Sequence, residues 1–160
     1  MPATADWFIA PDASIGGMPE TEAQRAARYA AKDAVDKLGV KPGDAVLYEG
    51  AKKDAGLVGR IRAKAGRPPA RAGEQADVIL FWPGSAQEVT PALRRLRKRM
   101  TPAGGLWVLT AKRDKERAGR PYLASDVIAL GLAAGLVDNK ICSVSETDTA
   151  MRFVIRRSER

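Results

Sequence analysis

The chain has 160 residues and a formal net charge of +8, with 45% hydrophobic and 29% charged residues. This length and composition predict one globular domain with a buried core and argue against general disorder. Histidine is absent and Cys142 is the single cysteine, which excludes a histidine-dependent triad, a histidine-ligated metal and an internal disulfide bond. No apolar run approaches the roughly 18–20 residues of a membrane span. The N-terminus also lacks the pattern of a secretory signal, so we expect a cytoplasmic protein that is not bound to a membrane.

The N-terminal segment is predicted to be an arm followed by a helix. Residues 1–20 show no periodicity, so we predict a flexible arm there. Thr21 and Gln24 match a capping box, and alanines recur at helical spacing from that point to Leu38. We therefore predict an N-terminal helix over residues 21–38 and one domain over residues 39–160.

Strands and helices alternate in this domain. A short apolar strand at Asp44–Glu49 is followed by a helix at Leu57–Ala65 with a basic outer face. The next segment contains Pro68 and Pro69, which exclude a helix and interrupt any strand ladder. Val78–Trp82 is then continuously apolar, which is typical of a parallel strand covered on both faces.

The C-terminal half continues the alternation and ends in two strands. This order predicts an α/β fold, a three-layer sandwich with a mostly parallel sheet and a C-terminal antiparallel hairpin. The predicted elements are a basic helix at Glu88–Met100, a turn TPAGG, a strand at Gly105–Lys112, a helix from Ser125 or Asp126 to Ala134, and strands at Asn139–Glu146 and Ala150–Arg157.

Several separated passages carry a family resemblance. From Leu38 onward, KPGDAVLYEG, LRRLRKRMTPAGGLWVL and ALGLAAGLVDNKICSV resemble, in order, the Rossmann-like fold of class I methyltransferases that use S-adenosylmethionine (SAM). More narrowly, KLGVKPGDAVL, ADVILFW, GGLWVLTAKR and GLVDNKICSVSETDTAMRFVIRR resemble the uncharacterised bacterial family DUF3052. The resemblance covers about Leu38–Arg157. It implies a fold and supplies no activity.

The resemblance places a SAM-binding loop after the first strand, but this loop is incomplete. Glu49 and Gly50 occupy the positions of the loop's acid and its first glycine. Lys52 and Asp54 occupy the positions of the further glycines, and their side chains would fill the space of the cofactor. Glu49 and Asp77 are 28 positions apart (77 − 49). Two complete strand–helix units do not fit in that interval, so we predict a truncated, methyltransferase-like sheet. The resemblance also implies an acid at the end of the second strand that binds the ribose of the cofactor. The nearest candidate for this acid is Glu74.

We assign a candidate ligand edge to the carboxyl ends of the strands, where open α/β sheets bind ligands. Simpler structural interpretations stay open: Gly50 ends a buried strand, the lysines are solvated, and Trp82 is a core aromatic. The candidate binding residues are Glu49, Gly50, Lys52, Lys53, Trp82 and Lys112. No catalytic or metal-binding residue is predicted.

For function, we expect a non-catalytic methyltransferase-like module without a cofactor, binding an unknown protein or a small anionic ligand. One alternative is a SAM-dependent methyltransferase with a degenerate loop. The other is a basic nucleic-acid-binding protein, because Lys and Arg cluster at residues 94–99 and 112–120. Aromatic residues make up only 6% of the chain, which weakens a model of base stacking.

Overall fold

The computed structural model describes Pro19 and residues 21–24, 33–111 and 124–160. The chain divides into two compact units, Met1–Lys32 and Asp33–Arg160. In the first unit the predicted capping box is present. The N–H of Gln24 donates to Oγ1 of Thr21 at 3.1 Å, and the N–H of Thr21 donates to Oε1 of Gln24 at 2.8 Å. Apart from Pro19, the predicted arm lies outside the described residues.

The prediction of one helix running from residue 21 to Leu38 is wrong at Asp33. Asp33 has an extended backbone, with φ −62° and ψ 141°, and its carboxylate accepts the N–H of Val35 at 2.8 Å. It therefore caps a new short helix. The alanine periodicity of the sequence continues across Asp33, so periodicity alone could not show that a helix begins there.

The second unit contains the sheet and its helices. Its described strands are β1 Val46–Gly50, β2 Ala76–Trp82, β3 Met100–Ala111, β4 Leu136–Ser143 and β5 Asp148–Ile155. Its described helices are α1 Ala34–Lys37, α2 Ala55–Ala65, α3 Val89–Arg97 and α4 Ala124–Ala133, with 3₁₀ turns at Ala86–Glu88 and Arg157–Glu159. None of the described helices has the length and apolar character needed to cross a membrane.

The five strands form one mixed sheet in the order β1-β2-β3-β5-β4. The pairings of β1 with β2 and of β2 with β3 are parallel, whereas β5 is antiparallel to both β3 and β4. Four strands therefore point in one direction, although only two of the four pairings are parallel. The predicted α/β class and the C-terminal antiparallel hairpin are confirmed.

Helices cover both faces of the sheet, as a three-layer sandwich requires. Alternate residues of β3 show the division: Leu106 and Val108 pack with α3 and α4, while Trp107 and Leu109 pack with α1 and α2. Trp107 also donates its indole N–H to the carbonyl of Leu38 at 3.2 Å. The continuous apolar run Val78–Trp82 of β2 divides between the two faces in the same way, which explains why it does not alternate with polar residues.

The predicted turn TPAGG lies inside β3. Ala76 pairs with Met100 and Val78 with Gly105, so β3 advances five residues while β2 advances two. The extra residues form a bulge between Thr101 and Gly104. A proline and two glycines indicate a turn in the sequence, and in the structure they bend a strand instead.

β1 is an edge strand, and the proline loop (residues 66–75) lies along it. The carbonyl of Ala45 accepts the N–H of Asp77 at 2.8 Å, so by alternation the carbonyl of Val46 points away from β2. The N–H of Ala70 donates to that carbonyl at 2.8 Å. The proline loop thus contacts β1 on the side that faces away from β2.

Candidate functional site

Glu49 lies at the carboxyl edge of the sheet, where it pairs with an arginine from a neighbouring helix. Its Oε2 accepts a hydrogen bond from a terminal nitrogen of Arg95 on α3 at 3.0 Å. The Glu49 side chain is 34% exposed. The carboxylate that the resemblance assigned to the cofactor loop is therefore already bound to a cation of the same chain. The sequence had no signal for this pair, because the two residues are 46 positions apart.

Gly50 ends β1 in a conformation that only glycine adopts readily. Its φ is +128°. A Cβ placed there would collide with the carbonyl oxygen of Trp82 and lie 3.0 Å from the Cβ of Trp82. The missing side chain therefore accommodates the neighbouring strand end and not a ligand.

The loop between β1 and α2 ends at Asp54, which forms two hydrogen bonds with the first turn of α2. Oδ1 of Asp54 accepts the N–H of Leu57 at 3.1 Å, and the carbonyl of Asp54 accepts the N–H of Val58 at 2.9 Å. The first turn of α2 is thus capped by a carboxylate. An anion approaching these N–H groups would meet the negative charge of Asp54. Lys52 and Lys53 are exposed beside it.

A groove of about 580 Å³ lies at this carboxyl edge. Three of the predicted residues line it: Glu49, Gly50 and Lys53. Glu88, directly before α3, and Arg95, within α3, line it as well. Glu88 accepts the N–H of Gly84 at 2.8 Å through Oε1. Both carboxylates of the groove therefore accept hydrogen bonds from the protein.

The other two predicted site residues that the structure describes, Lys52 and Trp82, do not line this groove. Trp82 is 5% exposed and belongs to the core between the sheet and α1 and α2. Lys52 is not among the residues that line the groove, and Lys112 lies outside the described residues. The structure thus brings half of the predicted set together.

Glu74, the nearest candidate for a ribose-binding acid, is used within the proline loop. Both of its carboxylate oxygens accept from Arg67, at 2.7 and 2.9 Å, and Oε1 also accepts the N–H of Arg71 at 3.0 Å. These hydrogen bonds, led by that from Arg67, hold the pKa of Glu74 below its usual value. The residue closes a loop and does not lie at the ligand edge.

The arginines in and just after α3 each contact a different part of the domain. Arg94 donates to the carbonyl of Ala133 at 3.1 Å, and Arg97 pairs with Glu159 at 2.6 Å. Arg99 donates to the carbonyls of Arg71 and Glu74. Together with Arg95, they hold neighbouring elements and do not form one basic stripe of the kind that tracks a nucleic-acid backbone.

Neither metal binding nor thiol chemistry is supported in the described part of the chain. Those residues contain no group of three or more Cys, Asp or Glu side chains that could hold a metal ion. Cys142 is buried and unpaired, and burial raises the pKa of its thiol. A protonated, enclosed thiol is a poor nucleophile.

Comparison with known proteins identifies the fold. No family model matches the chain, and no curated protein matches it. A SAM-dependent methyltransferase from Aquifex aeolicus is similar in structure with a TM-score of 0.58 and 15% identity, covering 75% of this chain and 86% of that one. A TehB-like SAM-dependent methyltransferase from Corynebacterium glutamicum has a TM-score of 0.51 and 14% identity, covering 84% and 96%.

The CcbJ methyltransferase from Streptomyces caelestis is similar as well, with a TM-score of 0.51 and 10% identity over 76% of this chain and 87% of that one. At such identities a structural likeness shows the fold alone. The chain therefore has a Rossmann-like, methyltransferase-like fold.

Proposed function

We propose that this methyltransferase-like domain is a non-catalytic module that binds a protein partner or a small anionic ligand. The contacts within its own β1 loop support this proposal most. Gly50 packs against the carbonyl of Trp82, and Glu49 is paired with Arg95 at 3.0 Å. A methyl donor at this loop would have to displace both contacts. The likeness to DUF3052 and a cytoplasmic location belong to the same proposal, and a single unpaired cysteine fits a reducing compartment.

The chemistry of the carboxyl-edge groove also favours binding over catalysis. A general base must reach the proton that it removes. Glu49 and Glu88 are engaged with Arg95 and with the N–H of Gly84. The groove volume of about 580 Å³ is nevertheless within the usual range for small-molecule sites.

SAM is the alternative ligand. The likeness in fold to SAM-dependent methyltransferases favours it, and the groove lies at the strand ends where α/β sheets bind ligands. Against it stand the capped first turn of α2 and the use of Glu74 inside the proline loop. Nucleic acid stays a second alternative partner, which the internal contacts of the α3 arginines disfavour.

Calorimetric titration with SAM and with S-adenosylhomocysteine tests the proposal. We expect dissociation constants weaker than about 100 μM, equivalent to less than roughly 5.5 kcal/mol of binding free energy. The Arg95→Gln variant frees the Glu49 carboxylate, and we expect it to bind no better, because the Gly50–Trp82 contact is still present.

Two results would support the enzyme alternative instead. One is binding of SAM to the native chain tighter than about 100 μM that is lost in Glu49→Gln. The other is transfer of a labelled methyl group from SAM to any acceptor, with Glu146→Gln as a control for charge removal at an exposed hairpin tip.

A further inference from the structure

A second pocket opens at the opposite edge of the sheet, near the amino ends of the parallel strands. Its volume is about 490 Å³, and its walls include Trp107 and Gly105 of β3. Every described element that lines it belongs to the unit Asp33–Arg160. We call it the amino-edge pocket. Its charged lining residues are Lys37, Lys41, Asp44, Asp77, Lys140 and Arg152.

Arg152 is the distinctive residue of the amino-edge pocket. It pairs across the sheet with Trp107 on one side and with Lys140 on the other, so the three side chains share one face. The guanidinium is partly buried, and among the described residues no carboxylate, carbonyl or hydroxyl accepts a hydrogen bond from it. None of its nitrogens is fully buried, so its N–H groups stay accessible to a ligand in the pocket.

The backbone of β3 provides the space that this guanidinium occupies. A Cβ at Gly105 would collide with Nε of Arg152 and lie 2.9 Å from its Cζ. The arginine therefore lies across the glycine and is held beside the pocket. This contact explains the second glycine of the Pro-Ala-Gly-Gly passage without any cofactor.

The two acidic side chains of the amino-edge pocket each accept a hydrogen bond from a backbone N–H. Oδ2 of Asp44 accepts the N–H of Lys41 at 2.9 Å, and Oδ2 of Asp77 accepts the N–H of Ala45 at 2.9 Å. They hold the turn before β1 and the start of β2, and neither forms an ion pair with Arg152. Four cationic and two anionic side chains line the pocket, which leaves an excess of positive charge.

Lys140, on the pocket's other wall, adds further donors. Nζ of Lys140 donates to the carbonyl of Lys37 at 3.3 Å, which uses one of its three N–H groups. Burial, and after it the charge of Arg160, lower the pKa of Arg152. The guanidinium still stays charged at neutral pH, because guanidinium groups are not deprotonated in proteins.

We propose that the amino-edge pocket binds a small molecule through an oxyanion group, a phosphate or a carboxylate, held by the fork of Arg152 with Lys140 beside it. Planar guanidinium groups bind such oxyanions through two parallel hydrogen bonds. The inference rests on the proposed binding function, since it names the ligand class and location. It does not depend on the carboxyl-edge groove.

Titration of inorganic phosphate and of succinate into the full chain, at low ionic strength and with sodium chloride as the salt control, tests this assignment. Calorimetry and thermal unfolding are both measured. We expect saturable binding of at least one probe. The probe that binds more tightly shows whether the site prefers phosphate or carboxylate.

The Arg152→Gln variant should lose at least tenfold in affinity for that probe. Without anion, its melting temperature should equal or exceed that of the native chain, because an unpartnered, partly buried charge is removed. A purely structural arginine would instead lower the melting temperature. Arg152→Lys keeps the charge but not the fork, so we expect it to retain part of the affinity.

Arg157→Gln is the matched control, because it removes the same charge from an exposed residue that does not line the pocket. It should bind the probe within twofold of the native chain. The proposal is overturned if neither probe binds, if Arg152→Gln binds like the native chain, or if Arg157→Gln loses as much affinity. SAM binding at the opposite edge would contradict the proposed function and leave this site untouched.

Discussion

At the scale of single residues, two glycines make room for neighbours within the fold. Gly50 allows β1 to end against the carbonyl of Trp82, and Gly105 allows Arg152 to lie across β3. In a full SAM loop, glycines bring the backbone close to a ligand. In this domain, the groups that lie close to Gly50 and Gly105 are the end of β2 and the side chain of Arg152. These two glycines are therefore not by themselves a sign of cofactor binding.

Replacing Gly50 by alanine should destabilise the domain by about 1–3 kcal/mol. The new side chain would impose a strained φ of +128° and collide with the Trp82 carbonyl. Gly59→Ala is the control, since Gly59 lies inside α2 with no atom within 4 Å of an added Cβ. That change should stabilise by about 0.5–1 kcal/mol.

Chemical denaturation measures both free energies of unfolding. An unchanged free energy of unfolding in Gly50→Ala, together with a loss of SAM binding, would contradict a packing role for this glycine.

Residue-level prediction from the sequence succeeded where the argument was local. Thr21 and Gln24 form the predicted capping box, whereas the cap that Asp54 gives to α2 was not predicted. The pairing of Glu49 with Arg95 could not be foreseen, because it depends on how α3 lies over the sheet. The position of Arg152 depends on the register of β3 and β5, which hydrophobic alternation does not specify.

At the scale of elements, the proline loop is held by a dense set of hydrogen bonds. Arg67 and the N–H of Arg71 both donate to Glu74, while Arg99 donates to the carbonyls of Arg71 and Glu74. The loop has no regular structure, so these contacts replace the ladder that a strand would provide.

The stability supplied by Glu74 should depend on pH. Its pKa in the folded state is lowered, chiefly by Arg67, so the contribution is complete above the ordinary pKa near 4.5 and is lost as pH falls through the folded value. The native chain should therefore exceed Glu74→Gln in free energy of unfolding at pH 6. This difference should shrink as pH falls below about 4.5.

Glu146→Gln is the comparison, because it removes an exposed carboxylate from the turn between β4 and β5. It should change the free energy of unfolding little at pH 6. A difference between native and Glu74→Gln chains that stays constant from pH 6 to pH 3 would show that the carboxylate contributes nothing as an anion.

Element prediction worked best for the central strand and failed at two junctions. The apolar run Val78–Trp82 lies within β2, and the hairpin of β4 and β5 was foreseen. The helix across Asp33 was not foreseen to break, since an aspartate cap competes with strong alanine periodicity. The bulge at Thr101–Gly104 carries the residues of a turn, and the pairing of Met100 and Gly105 with β2 on either side keeps it within the sheet.

At the scale of the whole molecule, residues 33–160 contain both hydrophobic cores. Among the described residues, the cluster on the side of α1 and α2 begins at Ala34, and Val35 and Leu38 are its first large members. A chain of residues 33–160 should therefore unfold in one cooperative transition. Its helix α1 keeps the Asp33 cap and the bond from Trp107 to the Leu38 carbonyl.

A shorter chain of residues 39–160 is the matched comparison. It lacks the buried side chains of Val35 and Leu38, which should cost about 3–6 kcal/mol at roughly 1.5–3 kcal/mol each. Denaturant unfolding of both chains measures the difference. Equal stability of the two would show that α1 is not part of the folded core.

Among the described strands β1 ends one side of the sheet, and unprotected sheet edges invite one molecule to add to the next. Here β1 is only five residues long, and the carbonyl of Val46 is already taken by Ala70. Pro68 and Pro69 precede that contact and have no N–H to offer an incoming strand. The proline loop therefore guards the β1 edge of this domain against edge-to-edge aggregation.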